Sequence, residues 1–392
     1  MRLYISLFIV LIGFRTFNLT PVALETRYIM FAFSLIAFIY NFKLIFNNAL
    51  LRFISILILI SIISSMVIFN QSLVSSVVAN SYLISSFAVT FIAIWIENKS
   101  VNFLKLISYI IRFAWVFSFI IIIFSVFDLN FNTQSAVSGI VQARGANKLS
   151  TNIIYFAFFN YFFEFNKTRN IRYLAYSFWF FMTTQLADIQ RGDIVFLVAT
   201  IFIYIFYSRK FKALALLVFF IFSSLIITSI NFFFSESLIT EKFIQFSYFF
   251  QPSNYNLIED AGLLMRLSEI LFAIPYIIKS PFFGNGLIRS SNNEIYFDNA
   301  YFYIGDIGII GIIFTFGVIG LIYLIFLIVK SIRLYLMVNQ LRLKDYGVSL
   351  FLIFFSLYGI KNGVSVYNPF IILFCFLIVK HIKKTSKINT LH

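Results

Sequence analysis

Histidine is nearly missing from this 392-residue chain: there are two, His381 and His392, both in a basic tail. Cysteine occurs once, as Cys375 within an apolar run. This inventory excludes an intrachain disulfide, a His/Cys metal site and a histidine-based catalytic triad. Charge is scarce as well, at 11% of residues. Gly284-Asn285-Gly286 has no preceding strand and no following Lys-Ser/Thr, which excludes a dinucleotide-binding or P-loop motif. No internal repeat, low-complexity linker or soluble domain boundary divides the sequence.

What is plentiful is apolar. Hydrophobic residues make up 61% of the chain, with 56 Phe and 22 Tyr, and mean hydropathy is +0.94. Such a composition belongs to the membrane class, and the expected fold is all-α, a single integral membrane domain over residues 1–392. The aromatic excess fits lipid-facing helices with aromatic ends; an AT-rich genome accounts for it equally well. A span needs ~20 mostly apolar residues. Runs of that kind predict helices at 3–18, 25–46, 51–69, 73–96, 103–127, 150–165, 171–187, 191–207, 211–231, 301–329, 346–361 and 363–380. That makes about twelve transmembrane helices. The first run has no small-residue cleavage site and is expected to be the first span.

A net charge of +15 raises the question of nucleic acid. The basic residues, however, fall in short clusters between apolar runs, so orientation explains them better and no nucleic-acid partner is expected. Arg2, Lys43, Arg52, Lys105, Lys167, Arg209, Lys330, Lys344 and the Lys380–Lys387 tail all collect on one side. By the positive-inside rule that side, with both termini, is cytoplasmic, in a multi-pass bacterial inner-membrane protein. The opposite side receives two substantial loops, about 128–149 and 232–300. The second is a large extracytoplasmic loop long enough to carry structure of its own.

Its core stretch, residues 261–311, gathers Arg266, Glu269, Lys279, Arg289, Glu294 and Asp298. Leu263, Leu267, Ile270 and Ile274 recur at helical spacing, with Arg266 and Glu269 on another face. The pattern predicts an amphipathic helix suited to a membrane surface, interrupted by Pro275 and Pro281. A Gly284-Asn285-Gly286 turn and a Gly-rich membrane helix follow.

Arg144, Lys148, Arg191, Arg266, Lys279 and Arg289 break the charge rule by lying outside. A cation there costs orientation energy unless an anion uses it, and arginine's planar fork suits a lipid diphosphate. Snorkelling to lipid phosphates, or pairing with Asp188, Asp193, Glu259 and Asp260, is the plainer alternative. Arg191 is the sharpest case, since Gln190-Arg191-Gly192-Asp193 joins two apolar runs with almost no loop. Asp298 precedes Asn299 at a helix start, where it serves either as a general base or as an N-cap.

The order Arg144-Gly145, Arg191-Gly192, Arg266, Pro281-Phe-Phe-Gly-Asn-Gly286, Asp298-Asn299-Ala-Tyr301 and Gly305 to Gly311 resembles the O-antigen polymerase and O-antigen ligase family. Many members carry His before that Asn, and here Asp298 stands in its place. The resemblance implies a glycosyltransferase whose donor is a polyprenyl-diphosphate-linked oligosaccharide. It needs no nucleotide or other cofactor outside the cell. Asp298, Arg191, Arg266 and Arg289 would be catalytic; Arg144, Lys148, Lys279, Glu269, Asn299 and Tyr301 would bind substrate. Membrane lipids, a chain-length regulator and a flippase are the expected partners. A ligase moving finished glycan to another acceptor, or a flippase, would share much of this inventory.

Overall fold

A computed structural model of the protein describes residues 1–16, 22–126, 151–187, 191–207, 261–288, 302, 304–341 and 347–389. Among the described residues every regular element is helical. The N-terminal part comprises α1 (Arg2–Gly13), α2 (Val22–Tyr40), α3 (Phe42–Asn47), α4 (Ala49–Phe69), α5 (Leu73–Ala79), α6 (Ser81–Ser85), α7 (Val89–Glu97) and α8 (Phe103–Val126). The middle holds α9 (Asn152–Thr168), α10 (Ile171–Ala187), α11 (Arg191–Tyr207) and α12 (Ala261–Lys279). Then follow α13 (Gly308–Gln340), α14 (Val348–Asn362), α15 (Val364–Tyr367) and α16 (Phe370–Asn389).

Among the described residues, Ala49–Phe69, Phe103–Ile123 and Gly308–Gln340 are long and apolar enough to cross a membrane. A fourth crossing arises if Leu73–Ala79 and Ser81–Glu97, bent by 58° at their junction, act as one span. The predicted helix at 211–231 lies outside the described residues.

Sequence punctuation explains the helix ends. The Oδ1 of Asn48 accepts the Leu50 N–H at 3.0 Å and starts α4. Asn70, at φ 50°, stops it in the left-handed conformation. Ser72 caps α5 by accepting the Ser75 N–H at 3.2 Å. Gly347 and Gly363, at φ 72° and 63°, bracket α14.

Phenylalanines and hydroxyl groups knit the helices together. Phe14 packs edge-on against Phe156 at 5.7 Å, and Phe351 packs against both, uniting α1, α9 and α14. The Trp115 indole donates to the Tyr161 hydroxyl at 2.9 Å and the Trp179 indole to Ser118 Oγ at 3.1 Å, which joins α8, α9 and α10. Ser331 and Ser356 share a hydrogen bond at 2.8 Å between α13 and α14. Between apolar helices such bonds contribute about 0.6 kcal/mol each, so close packing supplies most of the association energy.

Several predicted helices are in fact interrupted. The stretch 73–96 breaks at Asn80 and again at a 3-10 turn over Ser86–Ala88. The stretch 25–46 breaks at Asn41, whose side chain turns aside to donate to Thr90 Oγ1 at 3.0 Å. The stretch 363–380 breaks between Tyr367 and Phe370, where Pro369 removes a donor. By contrast α13 outruns the predicted end at 329: Lys330 lies 4.9 Å from the Phe326 ring and 5.2 Å from the Phe376 ring, and the helix continues along α11, with the Tyr335 hydroxyl donating to the Tyr204 carbonyl at 3.4 Å.

The amphipathic helix is present as α12 but differs in two respects. It runs through Pro275 to Lys279. Its buried face is Leu267, Glu269 and Ala273, while Ile274 is exposed, so the packed stripe is turned by one residue from the predicted one. Ala273 joins a satellite core with Phe69, Ile288, Phe302, Ile307 and Phe314, which holds α12 against the C-terminal end of α4 and the first turns of α13.

Candidate functional site

The central feature is a break inside α13. Gly317 has φ 62° and ψ −155°, a conformation open only to glycine, within an otherwise apolar candidate span. Unwinding a helix in a membrane frees N–H and C=O groups that lipid cannot satisfy, so something in the protein must take them. The loop after α12 does this. Asn285 donates its backbone N–H to the Phe314 carbonyl at 2.7 Å and its Nδ2 to the same oxygen at 3.0 Å. Gly286 N–H donates to Thr315 O at 2.9 Å, and Val318 N–H returns to Pro281 O at 2.9 Å. Gly284, at φ 69°, leaves room for this approach, since any Cβ there would strike the backbone from Thr315 to Gly317.

The same loop reaches α4. Leu287 N–H donates to Ser61 Oγ at 2.9 Å, and the Gln71 side chain donates to Leu287 O at 3.3 Å. Ser61 stands eight residues before the end of α4 at Phe69, so the loop dips about 12 Å down that helix. Phe282 and Phe283, both exposed, flank it on the outside.

Two further interruptions adjoin this one. The Tyr367 hydroxyl in α15 shares a hydrogen bond with Thr315 Oγ1 at 3.2 Å, and its ring lies 5.9 Å from that of Phe316. One residue on, Asn368 donates its Nδ2 to Gly13 O at 3.2 Å, while Asn152 Nδ2 donates to Phe14 O at 3.2 Å. Those bonds satisfy carbonyls at the end of α1, where Arg15 takes φ 59° and sets its guanidinium 4.4 Å from the Tyr82 ring, just past the α5–α6 break. Irregular backbone from the ends of α1, α5, α12, α13 and α14 therefore meets in one region. Discontinuous helices of this kind present helix termini and bare backbone to a ligand.

The predicted site residues fare differently. Glu269 is buried, 3% exposed, on the packed face of α12. Arg266 and Lys279 are both exposed on α12, thirteen residues apart, which is about 20 Å along a helix, so they form no common pocket. Arg191 opens α11. Phe196, five residues on, touches Tyr358 at 6.4 Å, and Lys361 Nζ sits 5.4 Å above that same Tyr358 ring. The start of α11 and the end of α14 are thus neighbours. Arg144, Lys148, Arg289, Asp298, Asn299 and Tyr301 lie outside the described residues.

Sequence reasoning missed Arg15, Lys361, Tyr367 and Asn368, and read Asn285 only as part of a turn motif. Arg15 carried a usable signal, because it falls at the opposite end of the first apolar run from Arg2. Asn368-Pro369 within an apolar run was a second.

Asn285 is notable for a cost it carries. It is 1% exposed, and its Oδ1 has no hydrogen-bond partner among the described residues. A buried orphan acceptor is unfavourable by about 1–3 kcal/mol. Asn285→Leu removes that acceptor and keeps the backbone bond to Phe314, so unfolding free energy should move by less than about 1 kcal/mol. A larger loss in a thermal melt of the detergent-solubilised protein would mean that the amide is mainly structural. Compared with models of known protein families and with curated proteins, the chain has no significant match.

Proposed function

We propose that the protein joins polyprenyl-diphosphate-linked oligosaccharide repeat units into a surface polysaccharide. In this reading about twelve spans cross a bacterial inner membrane, both termini are cytoplasmic, and the interrupted helices face outward. The observation that carries it is the stitching of Pro281–Gly286 to the break in α13. Those segments include one of the motifs that carry the family resemblance, Pro281–Gly286, and lie just after another, Gly305 to Gly311. Cations from distant parts of the sequence stand at helix ends: Arg15 just past α1, Arg191 at the start of α11 and Lys361 in the last turn of α14.

The chemistry follows from the donor. A hydroxyl oxygen of the incoming repeat unit attacks the anomeric carbon of the lipid-linked chain, and the bond to diphosphate breaks. Polyprenyl diphosphate leaves with the electron pair, and guanidinium groups stabilise the charge it gains. The hydroxyl proton passes to a carboxylate, for which Asp298 is the assigned residue. The donor sugar is already activated, so no nucleotide enters.

Interrupted helices also favour a second reading, a carrier that moves lipid-linked oligosaccharide across the membrane. One experiment separates the readings. Purified protein given lipid-linked repeat unit in detergent, without added nucleotide, should produce a ladder of products with one, two and more added units. A single species would reject polymerisation; vesicle assays that then show transbilayer movement would favour the carrier. In cells, polymer lacking its final attachment after gene deletion would point to a ligase.

A further inference from the structure

A second site lies at the opposite end of the bundle. Between α7 and α16 the structure holds a cavity of about 370 Å³, within the ~300–1,000 Å³ usual for small-molecule sites. Its shaft is apolar, formed by Ile92, Ile96, Phe374 and Ile378, all of them buried. Among the described residues its mouth carries Lys380, His381, Lys383 and Lys384 against a single acid, Glu97. Lys330 of α13 stands nearby, its ammonium 5.2 Å from the ring of Phe376 on α16.

Each half restricts the occupant. Water does not fill an apolar shaft, because it finds no partners there. Clustered lysines beside one glutamate repel one another unless an anion neutralises them. A molecule with an acyl chain and an anionic head meets both demands, and basic pockets between membrane helices on the cytoplasmic side suit such heads. A zwitterionic lipid would fill the shaft but bring an ammonium group toward the lysines. Free phosphate would meet the lysines and leave the shaft empty.

We propose that this cavity binds one anionic phospholipid, its phosphate against Lys380 and Lys384 and an acyl chain between α7 and α16. The lipid then bridges the bent α5–α7 segment and the C-terminal helix. The site is separate from the proposed transfer reaction and stands whether or not the protein is a polymerase.

The test uses delipidated full-length protein in mild detergent, melted in the presence of phosphatidylglycerol, phosphatidylcholine or inorganic phosphate. Phosphatidylglycerol should raise Tm, phosphatidylcholine much less, and phosphate not at all. Each lysine near an anionic headgroup is worth about 1 kcal/mol. The double variant Lys380→Gln/Lys384→Gln should therefore need roughly 30-fold more phosphatidylglycerol for the same rise, and Lys380→Arg/Lys384→Arg should need little more than the parent. Ala93→Phe, which fills the shaft, should blunt the response to both lipids. Equal shifts with phosphatidylcholine, a full shift with phosphate alone, or an unchanged titration of the glutamine pair would each overturn the proposal. Both lysines are exposed, so the glutamine pair keeps the test decisive if Ala93→Phe does not fold.

Discussion

Gly317→Ala should destabilise the protein by about 4 kcal/mol, seen as a large fall in melting temperature or in the yield of monodisperse protein from membranes. Two costs combine. A non-glycine residue held at φ 62° and ψ −155° is strained by about 1–3 kcal/mol. The added Cβ also meets the carbonyl of Phe282 and stands 2.6 Å from Pro281 O. Those are main-chain atoms, which no rotamer change can move aside, so overpacking adds about 1–3 kcal/mol more. Pro281 O must also keep its bond from Val318 N–H, which starts the C-terminal part of α13. Gly284→Ala should behave in the same way from the other side of the contact. Gly305→Ala provides the control, since the nearest atom to its Cβ is Asn362 O at 3.7 Å. A Gly317→Ala protein that melts like the Gly305→Ala protein would mean that α13 runs straight through the membrane, and the candidate site would lose its frame.

That break shows where sequence reading succeeds and where it stops. Hydropathy located many helices to within a residue or two: 103–127 against Phe103–Val126, 171–187 against Ile171–Ala187, 191–207 against Arg191–Tyr207. It succeeded for helix position because these apolar runs end at polar or charged residues, although of the three only Phe103–Ile123 is long and apolar enough to cross a membrane. It could not see the break at Gly317, because the bonds that make unwinding tolerable come from Asn285 and Gly286, about thirty residues earlier in the chain. Apolar content stays the same whether a backbone bonds within its own helix or with a distant loop.

Register was lost for a related reason. The predicted face of α12 followed its large aliphatic residues through Ile274, yet Ala273 is the residue wholly buried. A small side chain permits the close approach of Phe302 and Phe314, while Ile274 is exposed and at no cost if lipid surrounds it. The Gly-Asn-Gly turn and Arg191 were legible as unusual features. Their surroundings were not, because what the start of α11 packs against depends on how α11 and α14 align, as the Phe196–Tyr358 contact shows. The exposure of Arg266 and the burial of Glu269 reverse the simplest expectation for two charges on one amphipathic helix, and only the packing of α12 decides between them.

Arg191→Ala should slow the product ladder by about 10²–10³-fold while leaving the melting temperature within about 2 °C, since ΔΔG below about 1 kcal/mol barely moves Tm in a chain of this size. The position of Arg191 motivates the magnitude. It opens a helix of 17 residues, whose N-terminal end carries a partial positive charge of its own. Lys361 approaches that end through Tyr358. In the proposed reaction a diphosphate leaving there would gain negative charge as its bond to the sugar breaks, and loss of one charge-stabilising donor typically costs about 2.7–4 kcal/mol. Arg191→Lys should recover only part of the rate, because an ammonium cannot bind two phosphate oxygens in parallel. Arg15→Gln should also slow the ladder, by about tenfold, since stacking on Tyr82 holds that guanidinium in place. Arg266→Ala, in an exposed position on α12, supplies the comparison: a surface cation that only snorkels should change the rate less than about threefold. If Arg266→Ala abolishes the ladder while Arg191→Ala and Arg15→Gln leave it intact, the diphosphate is held by the loop side of α12, and the cations at the end of α1 and the start of α11 are orientation devices instead.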